Sequence, residues 1–292
     1  METMNDSHTT DSKIQNPHSP LRTPKSHSRH PILHEDAWMV AIHKPEGVLS
    51  HPNPSPRAKS TGHAERCAFE GRYDFDARRF DSSAGPIWLV HRLDQDTSGV
   101  LLGAKSEKVA GAFRSLFEKH QIQKTYIALV AGKPSPVSGF WKDHLQKETA
   151  RGMVRSISLP RRPANAELSY AVLFTFPIPQ ALPKTEKNPR HHPKSAFHSL
   201  SLLKISLITG RTHQIRVQAS RQRHFVTGDR IYGDFYLNKA LRTTLGLRRL
   251  FLHAASLRFV HPETHQPVLL ETPLPPDLEG VLGRLRTGVK KT

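Results

Sequence analysis

The strongest local signal for chemistry in the sequence is the segment HRLDQDTSG at positions 91–99. It places the guanidinium group of Arg92 close to the carboxylates of Asp94 and Asp96. An ionised carboxylate that faces a substrate can act as a nucleophile or as a general base. The competing interpretation is a carboxylate that only caps a turn, which is the commoner use of aspartate on loops. The segment therefore predicts carboxylate chemistry if its surroundings form a site.

Two short apolar runs predict strands on either side of this segment. Residues 87–90 and 99–104 are apolar, and the residues between them are polar. A helix is predicted from Ser106, a good N-cap residue, to about residue 119. Its apolar positions recur at the spacing of one helical face: Val109, Phe113, Leu116 and Phe117. The reactive segment is therefore expected on a loop between two strands, with the helix packed on the sheet.

Further strands and one more helix are predicted along the chain. Strands follow one another without regularly intervening helices, which favours an α+β fold with a mainly antiparallel sheet. The predicted strands are 38–42, 124–130, 166–176, 201–209 and a closing hairpin of 250–260 with 268–270, and the predicted helix is 212–222. The side chain of Tyr126 is expected to face away from Ile127 and Leu129, because side chains alternate along a strand.

Polar and proline-rich stretches set the expected limits of the folded domain. Residues 1–34 predict a disordered tail, because they carry too few large apolar groups to offset the entropy lost on ordering. Residues 53–83 and 177–195 predict mobile loops, and residues 276–292 predict a basic C-terminal tail. One folded domain is expected over residues 35–275.

Segment 91–99 resembles the signature of the RluA-type pseudouridine synthases. Five further segments match that family in the same order: KPEG at 44–47, KTY at 124–126, GRTHQIRV at 210–217, GDRIYG at 228–233 and LHA at 252–254. One aspartate-centred segment is modest evidence, but six ordered matches make coincidence remote. The resemblance covers residues 38 to about 272 and reverses the ranking of the two interpretations of Asp94.

The resemblance implies an enzyme that isomerises uridine to pseudouridine in structured RNA, on a bent antiparallel sheet, with no cofactor or metal. The reaction breaks the N1–C1′ bond, rotates the base, joins C5 to C1′ and removes the C5 proton. The resemblance makes Asp94 the essential carboxylate. It would act as a nucleophile on the sugar carbon or as a base that removes the 2′ proton, and the sequence leaves both routes open.

The resemblance also implies catalytic roles for Arg216 and Tyr126. Arg216 would pair with Asp94, because a guanidinium group is permanently charged and offers a fork of donors. An ordinary phosphate contact is the competing role for Arg216. Tyr126 would stack on the target base, and removal of the C5 proton is less favoured because a free tyrosine has a pKa near ~10. The alternative for Tyr126 is a half-buried aromatic residue of the sheet.

Other residues are expected to bind RNA. Arg92 would fill the space left by the flipped uridine, which leaves its helix at a cost of roughly a few kcal/mol. The alternative for Arg92 is a salt bridge with Asp96. The remaining expected substrate or RNA contacts are His91, Thr97, Arg211, His213, Gln214 and Leu252. The candidates for phosphate contacts are Arg221, Arg223, Arg242, Arg248 and Arg249.

The overall composition agrees with a polyanionic partner. The chain has 292 residues, with 43 Lys and Arg against 25 Asp and Glu, a formal net charge of +18. No apolar run approaches the ~18 residues that cross a bilayer, and the N-terminal residues lack the apolar core of a secretory signal. The expected protein is therefore a cytoplasmic monomer that binds structured RNA and no membrane.

Two other kinds of function are less favoured. Cys67 is the single cysteine, and His91, His213 and His253 lack the local spacing of a zinc site. A hydrolytic glycosidic enzyme would need a second carboxylate, for which Asp96 is the nearby candidate. A non-catalytic RNA-binding or ribosome-assembly protein could keep the fold, but retention of all the expected catalytic residues argues against it.

Two features differ from many relatives. Gln95 stands where many relatives have Lys or Arg, which is expected to remove one possible backbone contact without affecting the catalytic group. No basic helical RNA-binding domain is expected in front of the catalytic domain, which favours a smaller subtype that modifies tRNA or rRNA loops. The sequence leaves open which RNA and which uridine are modified.

Overall fold

The computed structural model describes residues 26–52, 66–150, 153–178 and 197–288. These residues form a 12-stranded sheet, a separate two-stranded hairpin and four helices. The strands are β1 (Ile32–Glu35), β2 (Met39–Lys44), β3 (Arg72–Asp74), β4 (Arg79–Ser82), β5 (Gly85–Leu89), β6 (Ser98–Ala104), β7 (Gln123–Ala131), β8 (Ser138–Asp143), β9 (Leu145–Ala150), β10 (Met153–Ser158), β11 (Ala166–Pro177), β12 (Ser199–Leu207), β13 (Leu252–Val260) and β14 (Pro267–Glu271). The helices are α1 (Glu107–Glu118), α2 (Gln214–Arg221), α3 (Phe235–Leu245) and α4 (Pro276–Thr287).

The large sheet runs in the order β3-β4-β5-β6-β13-β7-β12-β11-β8, and β2 also pairs with β6. The pairing of β6 with β13 is parallel, and the other pairings of this sheet are antiparallel. The predicted α+β class with a mainly antiparallel sheet is therefore confirmed. Strand β6 contacts β2, β5 and β13, and all of its residues are buried. The reactive loop thus leads into a fully buried strand of the sheet.

The sheet has a separate core on each face of β7. Tyr126, Ala128 and Val130 join one core, and Leu129 and Ala131 join another core that α3 and α4 cover. This arrangement confirms the predicted alternation along the strand. Helix α1 begins after Ser106, as predicted, and the Ser106 side chain accepts a 3.3 Å hydrogen bond from the N–H of Val109.

The ordered chain begins earlier than the sequence indicated. Residues Ile32–Glu35 form β1, which pairs with β2, and the Ser28 Oγ donates a 2.7 Å hydrogen bond to the backbone oxygen of Ala68. The prediction of a disordered tail is therefore wrong for residues 26–34, and residues 1–25 lie outside the described part of the chain. The reason is tertiary, because β1 is ordered by backbone pairing and has no fully buried side chain of its own.

The predicted loop at 53–83 is wrong over its second half. Strands β3 and β4 form a hairpin there, and Phe69 and Phe80 pack in the core at 1% and 0% exposure. The burial of a few apolar residues stabilises this hairpin despite the many charged residues around them. Residues 53–65 and 179–196, which hold the rest of both predicted loops, lie outside the described ranges.

The predicted basic tail at 276–292 is also wrong over most of its length. Pro276–Thr287 is helix α4, and its Leu278, Val281, Leu282 and Leu285 are buried against the sheet. These positions follow helical spacing, so the signal was present in the sequence but was masked by the basic residues between them. Residues 289–292 lie outside the described part.

The sequence analysis also missed α3 and the strands β8 to β10. The Asp234 side chain caps α3 by accepting a 2.7 Å hydrogen bond from the N–H of Leu237, and Gly246 ends the helix in a left-handed conformation. An N-cap aspartate, a glycine just after the helix and leucines four residues apart are local signals that could have predicted α3. The hairpin of β9 and β10 has no comparable apolar run.

Candidate active site

The backbone of the loop that carries Asp94 is held by hydrogen bonds from side chains and from one N–H of residues 44–50. The Ser50 Oγ donates to the oxygen of Leu93 at 2.8 Å and accepts from its N–H at 3.0 Å. The Lys44 Nζ donates to the oxygen of Gln95 at 3.1 Å, and the N–H of Gly47 donates to the same oxygen at 2.9 Å. The backbone on both sides of Asp94 is therefore fixed.

The side chain of Gln95 adds to this support. Its Nε2 donates a 3.0 Å hydrogen bond to the oxygen of Gly47. The amide of Gln95 therefore reaches the adjacent turn, and the loss of a possible backbone contact relative to lysine or arginine stays a prediction. At the other end of the loop, Gly99 has a φ of +130° and lies so close to Ala254 that a Cβ would collide with the backbone of β13. Only glycine fits this junction.

Lys44 is a buried cation whose partners are all backbone oxygens. It is 0% exposed, and its Nζ donates to Pro45, Val48 and Gln95 at 2.9, 2.7 and 3.1 Å. Burial lowers the pKa of Lys44 to about 7. The three hydrogen bonds use all the donors of the ammonium group, so Lys44 ties the turn to the Asp94 loop.

Arg216 lies between two carboxylates. Its Nη1 donates to the Asp94 Oδ2 at 3.3 Å, and its Nε and Nη2 donate to the two carboxylate oxygens of Asp229 at 2.7 and 2.9 Å. The Arg216 side chain is 3% exposed and that of Asp229 is 1% exposed, whereas 20% of the Asp94 side chain is exposed. The predicted partnership of Arg216 with Asp94 is thus present, and Asp229 is a buried partner that the sequence analysis missed.

The charges of this group favour the ionised forms. Burial opposes ionisation of Asp229, but the hydrogen bonds and the charge of Arg216 outweigh it and lower the pKa of Asp229. Burial likewise opposes the charge of Arg216, and the two carboxylates outweigh it and raise the pKa of Arg216. With both carboxylates ionised, Arg216, Asp94 and Asp229 have a formal net charge of −1. Asp94 is the partly exposed member of the group, so its oxygens present this charge to the cavity.

The phenol of Tyr126 lies in the wall of the same cavity. Burial, with a further contribution from the negative charge of Asp94, raises the pKa of Tyr126 above its ordinary value. A phenol of raised pKa is a poor base near neutral pH. The position therefore suits contact with a base by the ring.

A cavity of about 520 Å³ opens in front of these residues. That volume is within the range of small-molecule sites and suits one nucleotide. Its wall contains all the expected catalytic residues and the expected RNA contacts other than the five candidate phosphate-binding arginines: His91, Arg92, Asp94, Thr97, Tyr126, Arg211, His213, Gln214, Arg216 and Leu252. The wall draws on the loop between β5 and β6, on α1, β7, β12 and α2, and on β13, so distant parts of the chain meet at one place.

Comparisons with known proteins agree with this geometry. The family model described as RNA pseudouridylate synthase matches residues 39–221. Ribosomal large subunit pseudouridine synthase C of Pasteurella multocida is 33% identical over 255 residues, which are 87% of this chain and 68% of the relative. tRNA pseudouridine synthase C of Vibrio cholerae is 30% identical over 252 residues, which are 86% of this chain and 93% of the relative.

A solved structure shows the same fold at similar coverage. The human RNA pseudouridylate synthase domain containing 4 has a TM-score of 0.59 and 25% identity, and the match covers 88% of this chain and 93% of that one. The chain belongs to the RNA pseudouridylate synthase family. It is therefore an isomerase that converts uridine to pseudouridine in RNA. The family resemblance of the sequence segments is confirmed.

In this synthase, His213 faces Asp94 at the edge of the cavity. Its Nε2 lies 3.8 Å from the Asp94 Oδ2, and its Nδ1 lies 2.9 Å from the Tyr232 Oη. Tyr232 also accepts a 2.8 Å hydrogen bond from the N–H of Ser156, and the Arg216 guanidinium lies 5.1 Å from the centre of its ring. Burial lowers the pKa of His213. Tyr232 therefore contacts both His213 and Arg216, the two residues that approach Asp94.

The expected RNA contacts of the synthase fall into two groups. Arg92 is exposed, and no salt bridge joins it to Asp96 within the described ranges. Arg211 is also exposed, with its Nε donating to the oxygen of Asn165 at 3.1 Å. Thr97 and Leu252 are 2% and 3% exposed and lie deep in the wall.

His91 and Gln214 have structural partners that the sequence did not indicate. The His91 Nε2 accepts a 3.0 Å hydrogen bond from the N–H of Leu102, and burial lowers the pKa of His91 to about 3. Gln214 is 3% exposed, and its amide bonds to Thr209, Arg211, Glu167 and Gln218. The donors and the acceptor of the Gln214 amide are thus used within the protein, and a contact of Gln214 with RNA stays a prediction.

Of the arginines expected to bind phosphate, Arg249 is held inside the protein, whereas Arg221 is exposed. Arg249 is 8% exposed, and it donates to the Ser98 Oγ at 2.7 Å. Arg221 forms a 2.8 Å ion pair with Asp143. The phosphate role is wrong for Arg249, whereas Arg223, Arg242 and Arg248 are exposed.

No cluster of metal-binding side chains and no helix long and apolar enough to cross a membrane occurs within the described residues. His253 forms hydrogen bonds with Ser98 and Thr272.

Proposed function

We propose that Asp94 is the catalytic residue of this synthase. The observation that carries the proposal is the arrangement of Asp94, Arg216 and Asp229, in which a partly exposed carboxylate faces a nucleotide-sized cavity and is backed by a buried cation. The ionised carboxylate either attacks C1′ as the N1–C1′ bond breaks or removes the 2′ proton. Both routes need a charged oxygen close to the sugar, and Arg216 favours that charge.

Asp229 makes Arg216 a fixed donor rather than a mobile one. Its two oxygens hold the guanidinium fork by two short hydrogen bonds, which leaves Nη1 directed at Asp94. A bidentate pair constrains the plane of the guanidinium group. Asp229 is therefore proposed as a positioning residue, and lysine at position 216 would lose this geometry.

Tyr126 and Arg92 are proposed to handle the flipped base. The uridine must leave its stack to reach Asp94, at a cost of roughly a few kcal/mol. The ring of Tyr126 lies in the cavity wall and would stack on the extruded base. Arg92 is exposed at the same cavity, where it would fill the vacated space or bind phosphate.

The proposed substrate is ribosomal RNA or tRNA. Relatives that act on either kind of RNA, by their names, align over most of this chain. The net charge of +18 favours such a polyanion. We further propose that the protein acts as a monomer, without a metal, in the compartment where these RNAs are abundant, the cytoplasm.

The function is tested by incubating the protein with transcripts of ribosomal RNA and tRNA and mapping pseudouridine by carbodiimide labelling and primer extension. A specific labelled uridine with the wild-type protein, absent with Asp94→Asn, is the expected result. Free uracil would show hydrolysis, and RNA binding without any labelled product would show a non-catalytic role. Asp96, the carboxylate that hydrolysis would need, is not among the described residues of the cavity wall.

A further inference from the structure

Lys124 is a cation in the wall of the active-site cavity that has no well-formed partner. The residue is 9% exposed, and its Nζ reaches only the backbone oxygens of Ile208 and Thr209, at 3.5 and 3.4 Å. None of the ion pairs formed by the described residues includes Lys124. Burial lowers the pKa of Lys124 to about 8.

Lys44 shows how this fold satisfies a buried lysine that has a structural task. Its ammonium group has three backbone acceptors between 2.7 and 3.1 Å. The two contacts of Lys124 lie at the outer limit of hydrogen bonding, and the group faces a cavity. A buried charge without good partners is costly, and such groups in clefts are candidates for ligand contact.

The position of Lys124 indicates which part of a substrate it would meet. Lys124 and Tyr126 are successive residues on the same face of β7, so their Cβ atoms are ~7 Å apart. A uracil ring stacked on Tyr126 therefore brings its edge within reach of a lysine side chain. The carbonyl oxygens O2 and O4 are the acceptors on that edge.

We propose that protonated Lys124 is a further catalytic residue, which donates a hydrogen bond to a carbonyl oxygen of the target uracil. The inference rests on the proposed role of Asp94. When the N1–C1′ bond breaks, its electron pair stays with the base, and the resulting uracil anion carries negative charge on N1, O2 and O4. Lys124 stabilises that charge and holds the detached base while it rotates, and it neither gives nor takes a proton.

The titratable groups on the elements next to Lys124 are neutral, exposed or bonded to the backbone. His91, on the loop after β5, is neutral because burial lowers its pKa to about 3. Glu118 and His120, at the end of α1, are exposed at the cavity edge, and Arg211, beyond β12, donates to the oxygen of Asn165. On the neighbouring strand β13, Arg258 is exposed.

The test compares wild-type protein, Lys124→Met and Lys124→Arg on the RNA that the wild type modifies, with Lys204→Met on the adjacent strand β12 as the exposed control. Lys124→Met should lower kcat by about 100-fold with the Kd for RNA within threefold of wild type, since it removes one donor to developing charge. Lys124→Arg should restore part of the loss. Lys204→Met should change neither constant, and thermal unfolding shows whether each variant is folded.

The pH dependence separates catalysis from structural support. Wild-type kcat should fall above pH ~8, by about tenfold per pH unit, as Lys124 loses its proton. That alkaline limb should move to higher pH in Lys124→Arg. A Lys124→Met enzyme within threefold of wild type, or an unchanged alkaline limb in Lys124→Arg, overturns the inference. A wild-type protein that makes no pseudouridine overturns both this inference and the proposed function, whereas an active wild type beside an unaffected Lys124→Met overturns this inference alone.

Discussion

At the floor of the cavity, Arg216 and Asp229 have side chains only 3% and 1% exposed, and short hydrogen bonds fix both of them. At the rim, Arg92 and Arg211 are exposed and have few protein partners. Chemistry needs atoms held in one place, whereas binding to a flexible polyanion needs charge more than geometry. Substitutions at the floor should therefore lower turnover, and substitutions at the rim should lower affinity.

The largest effect is expected for Asp94→Asn. The amide cannot serve as a nucleophile or base at C1′, so turnover should fall by about 10⁴-fold or more, while the Kd for RNA stays within threefold. The measurement is single-turnover pseudouridine formation beside a gel-shift titration. Asp96→Asn is the matched control on the same loop, and a comparable loss of turnover there would contradict the assignment.

Arg216→Lys should have the next largest effect. Lysine keeps the charge, but its donors lie on one nitrogen rather than on a planar fork, so it cannot hold Asp229 in a bidentate pair and also reach Asp94, and kcat should fall by about 100-fold. Arg221→Lys is the control on the same helix, because Arg221 pairs with Asp143 at the surface. Equal activity of these two variants would show that Arg216 provides charge alone.

Asp229→Asn tests how much the buried ion pair of Arg216 and Asp229 stabilises the protein. Removing one charge of a buried pair leaves Arg216 partly uncompensated, and the free energy of unfolding should fall by roughly 3 kcal/mol. Chemical denaturation measures this change, and activity should fall with it even at temperatures where the variant is folded. An unchanged unfolding free energy would mean that Asp229 does not hold Arg216.

Arg92→Ala tests the rim. The Kd for RNA should rise by about tenfold and the slope of log Kd against log salt should shrink by about one, since one phosphate contact is lost. Arg92→Lys should restore the affinity if the contact is to phosphate. Loss of kcat in both variants, at saturating RNA, would instead indicate that the guanidinium fills the space of the flipped base.

The smallest effect is expected for Ser50→Ala. It leaves the buried N–H and oxygen of Leu93 without their partner, which should cost about 1–3 kcal/mol of stability and lower kcat only a few-fold. Thermal unfolding and steady-state kinetics measure the two effects. A loss of kcat as large as that of Arg216→Lys would show that the hydrogen bonds between Ser50 and Leu93 are needed for catalysis.

Much of the fold could be predicted because its signals are local. The strand alternation at Tyr126, the helix after Ser106 and the loop position of Asp94 all follow from the spacing of apolar residues. The segments predicted as tails, 26–34 and 276–287, were wrong because their order comes from contacts with distant residues. Segment 26–34 has few large apolar groups, and in 276–287 basic residues stand between the apolar residues of the helical face, so in both cases the sheet provides the partners that order the segment.

For the site, the sequence by itself determined which residue types are available and which side of each strand they occupy. The tertiary structure decided which of them meet. Arg216 reaches Asp94 across 122 residues, and Asp229 and Tyr232 join them only because the turn before α3 packs against α2. Spacing along a chain determines local periodicity, but the return of a distant segment depends on the packing of the whole sheet.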